Sequence, residues 1–388
     1  MDSPLLSTGS LTSGRPHGVV ETIGLSTSAK VRVIIERAQF AALAKPWNAL
    51  VERSDDQLFY RHDFVQLWLH HFAADAALRI LTLFDGSGRL TAALPVILVR
   101  SRLFGIPVRE LQATANLHSC RFDLIADDPA AAATAFVEYL RQRSDWDLLR
   151  LIDSPADGRA AALLMAAARA RLPAGHWISQ HSPYRLLPSS WAEFEDSLHR
   201  RFRSSLRRRR RRLAELGELR IERYVGGPEL AARLEEGFAL EACGWKGRAG
   251  TAISQHPATL AFYRELATRK AAEGQLALWF LRLDDRAIAF DFTLEYRGRL
   301  LLLKTAYDER HAACSPGQLL LEDELRDAIE RGLREVDFLG PSSPAKRDWT
   351  RLSRAHRWTY LFRGPRGRLL WLIKFRCLPA LKRLLRRD

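Results

Sequence analysis

The 388-residue sequence has no apolar run of about 18 residues, which excludes a membrane-spanning helix. Its first residues, MDSPLLSTGSLTSGRPHG, lack the basic start and apolar block of a signal peptide and read as a disordered Ser/Gly/Thr-rich tail over 1–29. Cysteines are few and scattered. Cys120, Cys243, Cys314 and Cys377 form no CxxC pair, so neither a zinc site nor a disulfide framework is expected, and a reduced, cytoplasmic setting follows. Acidic residues are in deficit, with 45 Asp and Glu against 60 Lys and Arg, for a net charge of +15. The excess is clustered: nine arginines lie between Arg200 and Arg212, and eight Lys or Arg follow Gly364. Such clustering points to an anionic partner, which could be nucleic acid, a membrane face or a phosphorylated substrate. The composition is otherwise that of a globular protein, 47% hydrophobic, and the length suits two domains.

Periodicity predicts a strand at Val31–Ile35, helices over Gln39–Arg53 and Arg61–Phe72, then a hairpin of Leu78–Phe84 and Leu90–Val99 across Asp85–Gly88. A strand at Val108–Ala113, a helix at Pro129–Arg143, a strand at Leu148–Ile152 and a helix at Arg159–Arg171 follow. Pro183–Pro188 reads as a linker. The same order then returns about 190 residues later. It comprises a long helix (Trp191–Leu216), a strand (Leu219–Tyr224), helices at Pro228–Cys243 and Pro257–Glu273, and a hairpin of Leu276–Leu283 with Ala287–Tyr296. Leu300–Lys304, a helix from Pro316, Glu335–Leu339, a helical stretch at Lys346–Arg351 and a last strand, Trp358–Phe362, complete it. The repeat implies an α/β (α+β) protein with a mixed sheet and an internal duplication.

The stretch from Leu300 to Leu333 organises the second copy. An apolar strand ends at Lys304, and Ser315-Pro-Gly opens a helix with Leu321, Leu325, Ile329 and Leu333 on one face. Ser315 reads as an N-cap, Pro316 as the first helical residue, and Ser315-x-x-Gln318 as a capping box. A helix start beside a strand end suits an anion, so a phosphate-bearing cofactor and a well-capped helix without a ligand are both open. The equivalent helix of the first copy begins Asp127-Asp128-Pro129, two carboxylates that would repel such a ligand.

The second copy resembles the GNAT acyltransferases, specifically the cellulose-biosynthesis-associated CelD type. The resemblance rests on Phe238-Ala-Leu-Glu-Ala-Cys-Gly-Trp-Lys246, Gly250-Thr-Ala-Ile253, Ile288-Ala-Phe290, Leu303-Lys-Thr-Ala-Tyr-Asp308, Ser315-Pro-Gly-Gln-Leu-Leu320, Val336-Asp-Phe-Leu-Gly340 and Lys346-Arg-Asp-Trp349. Over 30–187 the resemblance is one of pattern, and the tandem arrangement is also similar to the Fem-type transferases that use aminoacyl-tRNA. It implies two tandem GNAT-like domains: 30–187, expected not to bind cofactor, and 188–365, binding acetyl-CoA, followed by a basic tail at 366–388. The implied activity is direct acetyl transfer to an amine or hydroxyl of an envelope- or polysaccharide-related acceptor. No covalent enzyme intermediate and no metal are needed, and no Ser-His-Asp set is found.

The resemblance places the cofactor at Thr305, Ala306, Arg310, Ser315, Gly317, Gln318, Leu319 and Leu320. Lys304, Tyr307, Asp308 and Glu241 become catalytic candidates, with Asp308 or Glu241 accepting the proton and Tyr307 donating to the leaving sulfur. Trp245, Lys246, Asp291, Asp337, Lys346 and Trp349 would line the acceptor side, although Lys304 could equally be paired with Asp291 or Asp337 inside the sheet, and a Trp at a helix end is more often core. In the arginine run, Phe194, Leu198, Phe202 and Leu206 make an amphipathic stripe that passes through Arg209 or Arg210, one of which must snorkel or meet an anion. The remaining arginines read as a solvated face, since aromatics for base stacking are not interleaved. The end of the chain, Leu369 to Arg387, mixes apolar and basic residues around Pro379 and reads either as an anchor on an anionic membrane or as a helix packed on the second domain. A Fem-like aminoacyl transferase and a non-catalytic basic scaffold are the alternatives.

Overall fold

In the computed structural model the described backbone covers residues 30–384 and the side chains 30–381. The expected tail over 1–29 and the last four residues lie outside it. The first half runs β1 (Val31–Ile34), α1 (Arg37–Ala41), α2 (Ala44–Arg53), α3 (His62–Phe72), β2 (Ala77–Leu78) and β3 (Ile80–Phe84). It continues with β4 (Leu90–Leu94), β5 (Val96–Leu103), β6 (Ile106–Ala113), β7 (Ile125–Ala126) and α4 (Pro129–Gln142). β8 (Leu148–Pro155), α5 (Ala162–Arg169) and β9 (Ala174–Leu186) close it.

The second half comprises α6 (Trp191–Ser197), α7 (Arg200–Ala214), β10 (Leu219–Tyr224), α8 (Leu230–Cys243), α9 (Trp245–Arg248) and α10 (Pro257–Ala272). Then come β11 (Leu276–Leu283), β12 (Arg286–Tyr296), β13 (Arg299–Tyr307), α11 (Pro316–Glu330) and β14 (Glu335–Asp337). α12 (Pro344–Arg347), β15 (Ser353–Phe362), α13 (Gly364–Leu372) and α14 (Leu378–Leu384) end the described chain.

The duplication is real in topology. β6 and β8 pair in parallel with α4 crossing between them, as β13 and β14 pair in parallel around α11. One eleven-stranded mixed sheet runs β10-β11-β12-β13-β14-β9-β15-β8-β6-β5-β2 through both halves. A separate four-stranded sheet, β1-β3-β4-β7, belongs to the first half. The expected strand Leu90–Val99 is therefore two, split at Pro95, which has no N–H for a ladder and marks the passage between the sheets.

The largest departure from expectation is at Pro183–Pro188. Most of this segment is not a linker but the end of the thirteen-residue strand β9. β9 pairs with β14 of the second half at Tyr184, Arg185 and Leu186, while β15 of the second half lies between β9 and β8 of the first. Each half thus lends its last strand to the other. Pro183 is accommodated because its carbonyl, not an N–H, makes the next contact, accepting from Phe338 N at 3.1 Å. An apolar core also crosses the junction, where Phe262 of α10 packs on Phe64 and Phe72 of α3 at 5.9 and 4.9 Å.

The expected helix Trp191–Leu216 breaks at Leu198, whose side chain turns into the core, and restarts with His199 Nδ1 accepting from Arg201 N at 3.2 Å. Near the end of the chain Pro379 does not interrupt the helix. A π-turn over Ile373–Cys377, with Leu378 N donating to Ile373 O, precedes the proline and joins α13 to α14. These helices pack where β15 of the second half lies beside strands of the first: Leu370 is buried with Val108 and Leu148 of the first half and with Tyr360 and Phe362 of β15.

Candidate functional site

β13 and β14 pair at only three positions, Arg299↔Glu335, Leu300↔Val336 and Leu301↔Asp337. Past them β13 continues to Tyr307 while the other chain turns away at Phe338. The sheet opens there into a V. A β-bulge between Phe292 and Thr293 of β12 resets the alternation of β13, so that Lys304 and Ala306 face α8 and α10 while Thr305 and Tyr307 face the α11 side. Thr305 and Tyr307 are exposed.

α11 starts at the mouth of this V, but not as expected. Ser315 is left-handed (φ 48°, ψ 60°) and makes no side-chain cap; its hydroxyl turns back to Ala312 O. The capping box does not form. Gln318 instead bridges outward, donating to Ala345 O at 3.1 Å and accepting from Trp349 Nε1. The N–H groups of Gln318 and Leu319 return to the Ser315 carbonyl, and Pro316 has none, which leaves Gly317 as the free donor of the first turn among the described residues. A Cβ built on Gly317 would meet only the Tyr307 ring, at 3.9 Å, so Gly317 lies open beside Tyr307. Leu319 and Leu320 are fully buried core residues that offer their side chains to no ligand. Arg310 is exposed, but its guanidinium is held by Asp308, whose carboxyl it keeps below the usual range. The stripe arginine is Arg210, and the anions it meets belong to the protein: Glu322 at 2.8 Å and Asp323 at 2.9 Å.

Behind the V, Lys304 stands at the junction of the halves, its Nζ 5.3 Å over the Tyr263 ring. It makes no ion pair among the described residues. Pairing with Asp291 is ruled out by the register, since Asp291 lies opposite Thr305 and so on the other face of the sheet. Burial, and then the nearby Lys246 charge, lower the Lys304 pKa. Glu241 is the wrong kind of base: both oxygens are taken, Oε1 by Lys246 Nζ at 2.8 Å and Oε2 by Ile253 N at 2.9 Å. Lys246 also reaches Thr305 O at 2.8 Å, which ties α9 to β13. Trp245 is exposed at the edge of this region, and its backbone N–H donates to Glu309 Oε1 at 2.8 Å. Lys346 donates to the carbonyls of Leu339 and Pro341, and burial lowers its pKa.

Three acceptor-side candidates do not line the cleft. Trp349 is fully buried against Phe202 and Phe194, which bears out its reading as a core residue. Asp337 is buried in an ion pair with Arg121 of the first half, supported by Arg354 at 3.4 Å. Asp291 lies under α11 against Glu324, both fully buried. Neither Glu324 oxygen nor Asp291 Oδ1 finds a donor elsewhere among the described residues, so the two carboxyls must share protons, and both pKa values are driven up, chiefly by burial.

The acid pair predicts a pH dependence. With folded-state pKa values above those of the unfolded chain, stability is lost as pH rises from about 4 toward the raised values. Glu324→Gln is expected to stabilise the protein by on the order of 2 kcal/mol in mildly alkaline buffer and by much less at acid pH. Urea titrations at the two pH values check this; equal effects at both would mean the pair is not protonated as described.

Residues that sequence reasoning missed come from the first half. The loop after β6 brings His118, Cys120 and Arg121 to the same junction. His118 Nδ1 is 3.4 Å from Tyr263 Oη, and its ring stacks on Phe72 at 5.5 Å. Burial drives its pKa down to about 3, so it is neutral, and burial pushes the Cys120 thiol up to about 11. No local signal marks this loop, because its role depends on a contact across 145 residues of chain. In the first half itself, the Asp128 carboxylate caps α4 by accepting from Ala130 N and Ala131 N, while Asp127 pairs with Arg53. Away from the cleft, His70, His71 and Glu265 bring three ligand-type atoms within 4.8 Å, but Glu265 already pairs with Arg269.

Each half thus carries two parallel strands joined by a crossover helix, and the halves are locked together by their exchanged strands. The sequence model of the acetyltransferase (GNAT) domain matches residues 200–347, which holds the V, Lys304 and α11. Among solved structures, FemX is similar with a TM-score of 0.55 at 12% identity, covering 84% of this chain and 98% of that one. A conserved protein of unknown function from Bacteroides thetaiotaomicron gives 0.52 at 10% identity, covering 85% and 100%. A tandem GNAT protein from the clavulanic acid biosynthesis pathway gives 0.48 at 15%, covering 85% and 98%. At these identities the likeness is one of fold. No curated protein matches.

Proposed function

We propose that the protein transfers an acyl group, acetyl from acetyl-CoA, directly to an amine or hydroxyl of an acceptor lying between the two halves. The supporting observation is the open edge of β13 beyond Leu301, next to the start of α11, where the free N–H of Gly317 lies beside the exposed Tyr307. An acyl thioester laid along Thr305–Tyr307 would extend that edge, with its anionic end at the helix start. Lys304 then takes the acceptor's proton, the acceptor's lone pair forms the new bond to the acyl carbon, and the thiolate leaves and is protonated. With the acids of α4 and Arg53 occupying the equivalent place, the first half completes the acceptor cleft and takes no cofactor. An envelope or polysaccharide precursor of the cellulose-associated kind is the acceptor class this reading carries.

Acetyl-CoA is expected to raise the melting temperature, as ligands of the native state do. No shift at millimolar concentration would sink the reading. Gly317→Leu, which puts a side chain against the Tyr307 ring at the start of α11, is expected to weaken acetyl-CoA binding by about tenfold, or about 1.4 kcal/mol, with the melting temperature of the free protein unchanged. Unaltered affinity by calorimetry would place the donor elsewhere. A second reading, a donor carried on tRNA, draws on the exposed Arg200, Arg201, Arg208, Arg211 and Arg212 of α7, a helix joined to α11 through Arg210. Salt-sensitive tRNA binding without a response to acetyl-CoA would favour it.

A further inference from the structure

The last two helices have one face that is fixed and one that is unpartnered. Inward, Leu370 is buried, Trp371 Nε1 donates to Ala174 O at 2.9 Å, Lys374 lies 4.0 Å over Trp177, and Phe375 packs so closely on Gly175 that a Cβ there would fall 2.5 Å from its ring. Outward, Arg368, Leu369, Leu372 and Arg376 are exposed at three- and four-residue spacing, and Leu381 is exposed beyond the π-turn. The segment 364–384 contains no Asp or Glu. The tip of the β5–β6 hairpin extends this surface. Its Phe104, 46% exposed and left-handed at φ 52°, lies 5.6 Å from Lys374 Nζ, and Arg100 and Arg102 are exposed on the same hairpin.

We propose that this face docks on an anionic lipid bilayer, lying in the interface with Leu369, Leu372, Leu381 and Phe104 entering the headgroup layer. Arg368, Arg376 and the hairpin arginines would meet lipid phosphates. The charge is of one sign, as such a surface requires, and each basic residue near a membrane adds about 1 kcal/mol of attraction. The leucines choose between polyanions. A nucleic acid backbone gives exposed Leu and Phe side chains nothing to bury against, whereas the acyl boundary does. No helix among the described residues is long and apolar enough to cross a membrane, so the contact is peripheral. Because the inner face is pinned, the helix presents its outer residues already ordered, and docking needs no folding step. The proposal does not depend on the acyl-transfer reading.

Flotation of the full chain with vesicles tests it. Binding is expected to phosphatidylglycerol/phosphatidylcholine vesicles in low salt, with at least a tenfold loss on pure phosphatidylcholine and in high salt. Leu369→Glu/Leu372→Glu, at two leucines exposed on the outer face, should lower binding at least tenfold with the melting temperature unchanged. Arg208→Glu/Arg211→Glu on α7 should leave binding intact. Equal binding to neutral vesicles, retention by the leucine variant, or loss only in the α7 variant would each overturn the proposal.

Discussion

Replacing Arg121 by methionine is expected to destabilise the protein by about 3–5 kcal/mol. Arg121 of the first half meets Asp337 of the second, and both are almost fully buried. Burial works against the charged form of Arg121, yet Asp337 holds it protonated. The pair itself need not exceed its desolvation cost. What is expensive is breaking it, since Asp337 would keep a charge in the core with only Arg354, at 3.4 Å, to answer it. Asp337 also cannot simply withdraw, because its Oδ1 accepts from Leu339 N at 3.0 Å at the turn where the V opens. For a chain of this size the loss corresponds to roughly 5 °C in melting temperature. Arg121→Met/Asp337→Asn should recover at least half of it, because the amide keeps the acceptor for Leu339 and removes the charge. A single variant within 1 kcal/mol of the parent by denaturant titration would show that the junction does not rely on this pair.

The elements of the second half are legible in the sequence because its strands are either apolar runs, as in Leu276–Leu283, or alternating ones, as in Leu219–Tyr224, and its helices carry four-residue stripes. The expected bounds of Leu276–Leu283, Leu219–Tyr224 and the start of α11 at Pro316 coincide with the observed ones. The strand exchange was not legible, because β9 combines His176, Gln180, Ser182 and Pro183 in a pattern that local rules assign to a loop. Its identity as a strand comes from β14 and β15, about 150 to 190 residues downstream. The site shows the same division. The start of α11 at Pro316 and Gly317 and the position of Lys304 at the end of its strand follow from the local motif. That Ser315 would be left-handed, or that Trp349 would be core and Asp337 would face Arg121, depends on packing partners no window of sequence contains. Spacing alone cannot tell a free carboxylate from Glu241, whose two oxygens are both spent on the α9 loop.

That distinction singles out Lys304. Of the four catalytic candidates, Glu241 is held by Lys246 and Ile253 N, and Asp308 by Arg310; Tyr307 faces the α11 side. Lys304 alone among them faces the junction without a hydrogen-bonded counter-ion among the described residues. Its lowered pKa raises the fraction of neutral amine available near neutral pH, and only the neutral amine can accept the acceptor's proton. Lys304→Met preserves the buried stem, so the fold should be retained, and the rate of acceptor-dependent thiol release from acetyl-CoA should fall by about 10²–10⁴-fold with little change in KM for acetyl-CoA. The sign of the pH effect follows. Activity in the parent should rise with pH until Lys304 is deprotonated, and in the variant that rising limb should flatten. Glu241→Gln offers the contrast. It loosens Lys246 and the α9 loop, so it should raise KM for the acceptor while leaving the pH profile in place. If Lys304→Met lowered only the affinity for the acceptor and kept the pH limb, the amine would be a positioning charge and the proton would have to leave by another route.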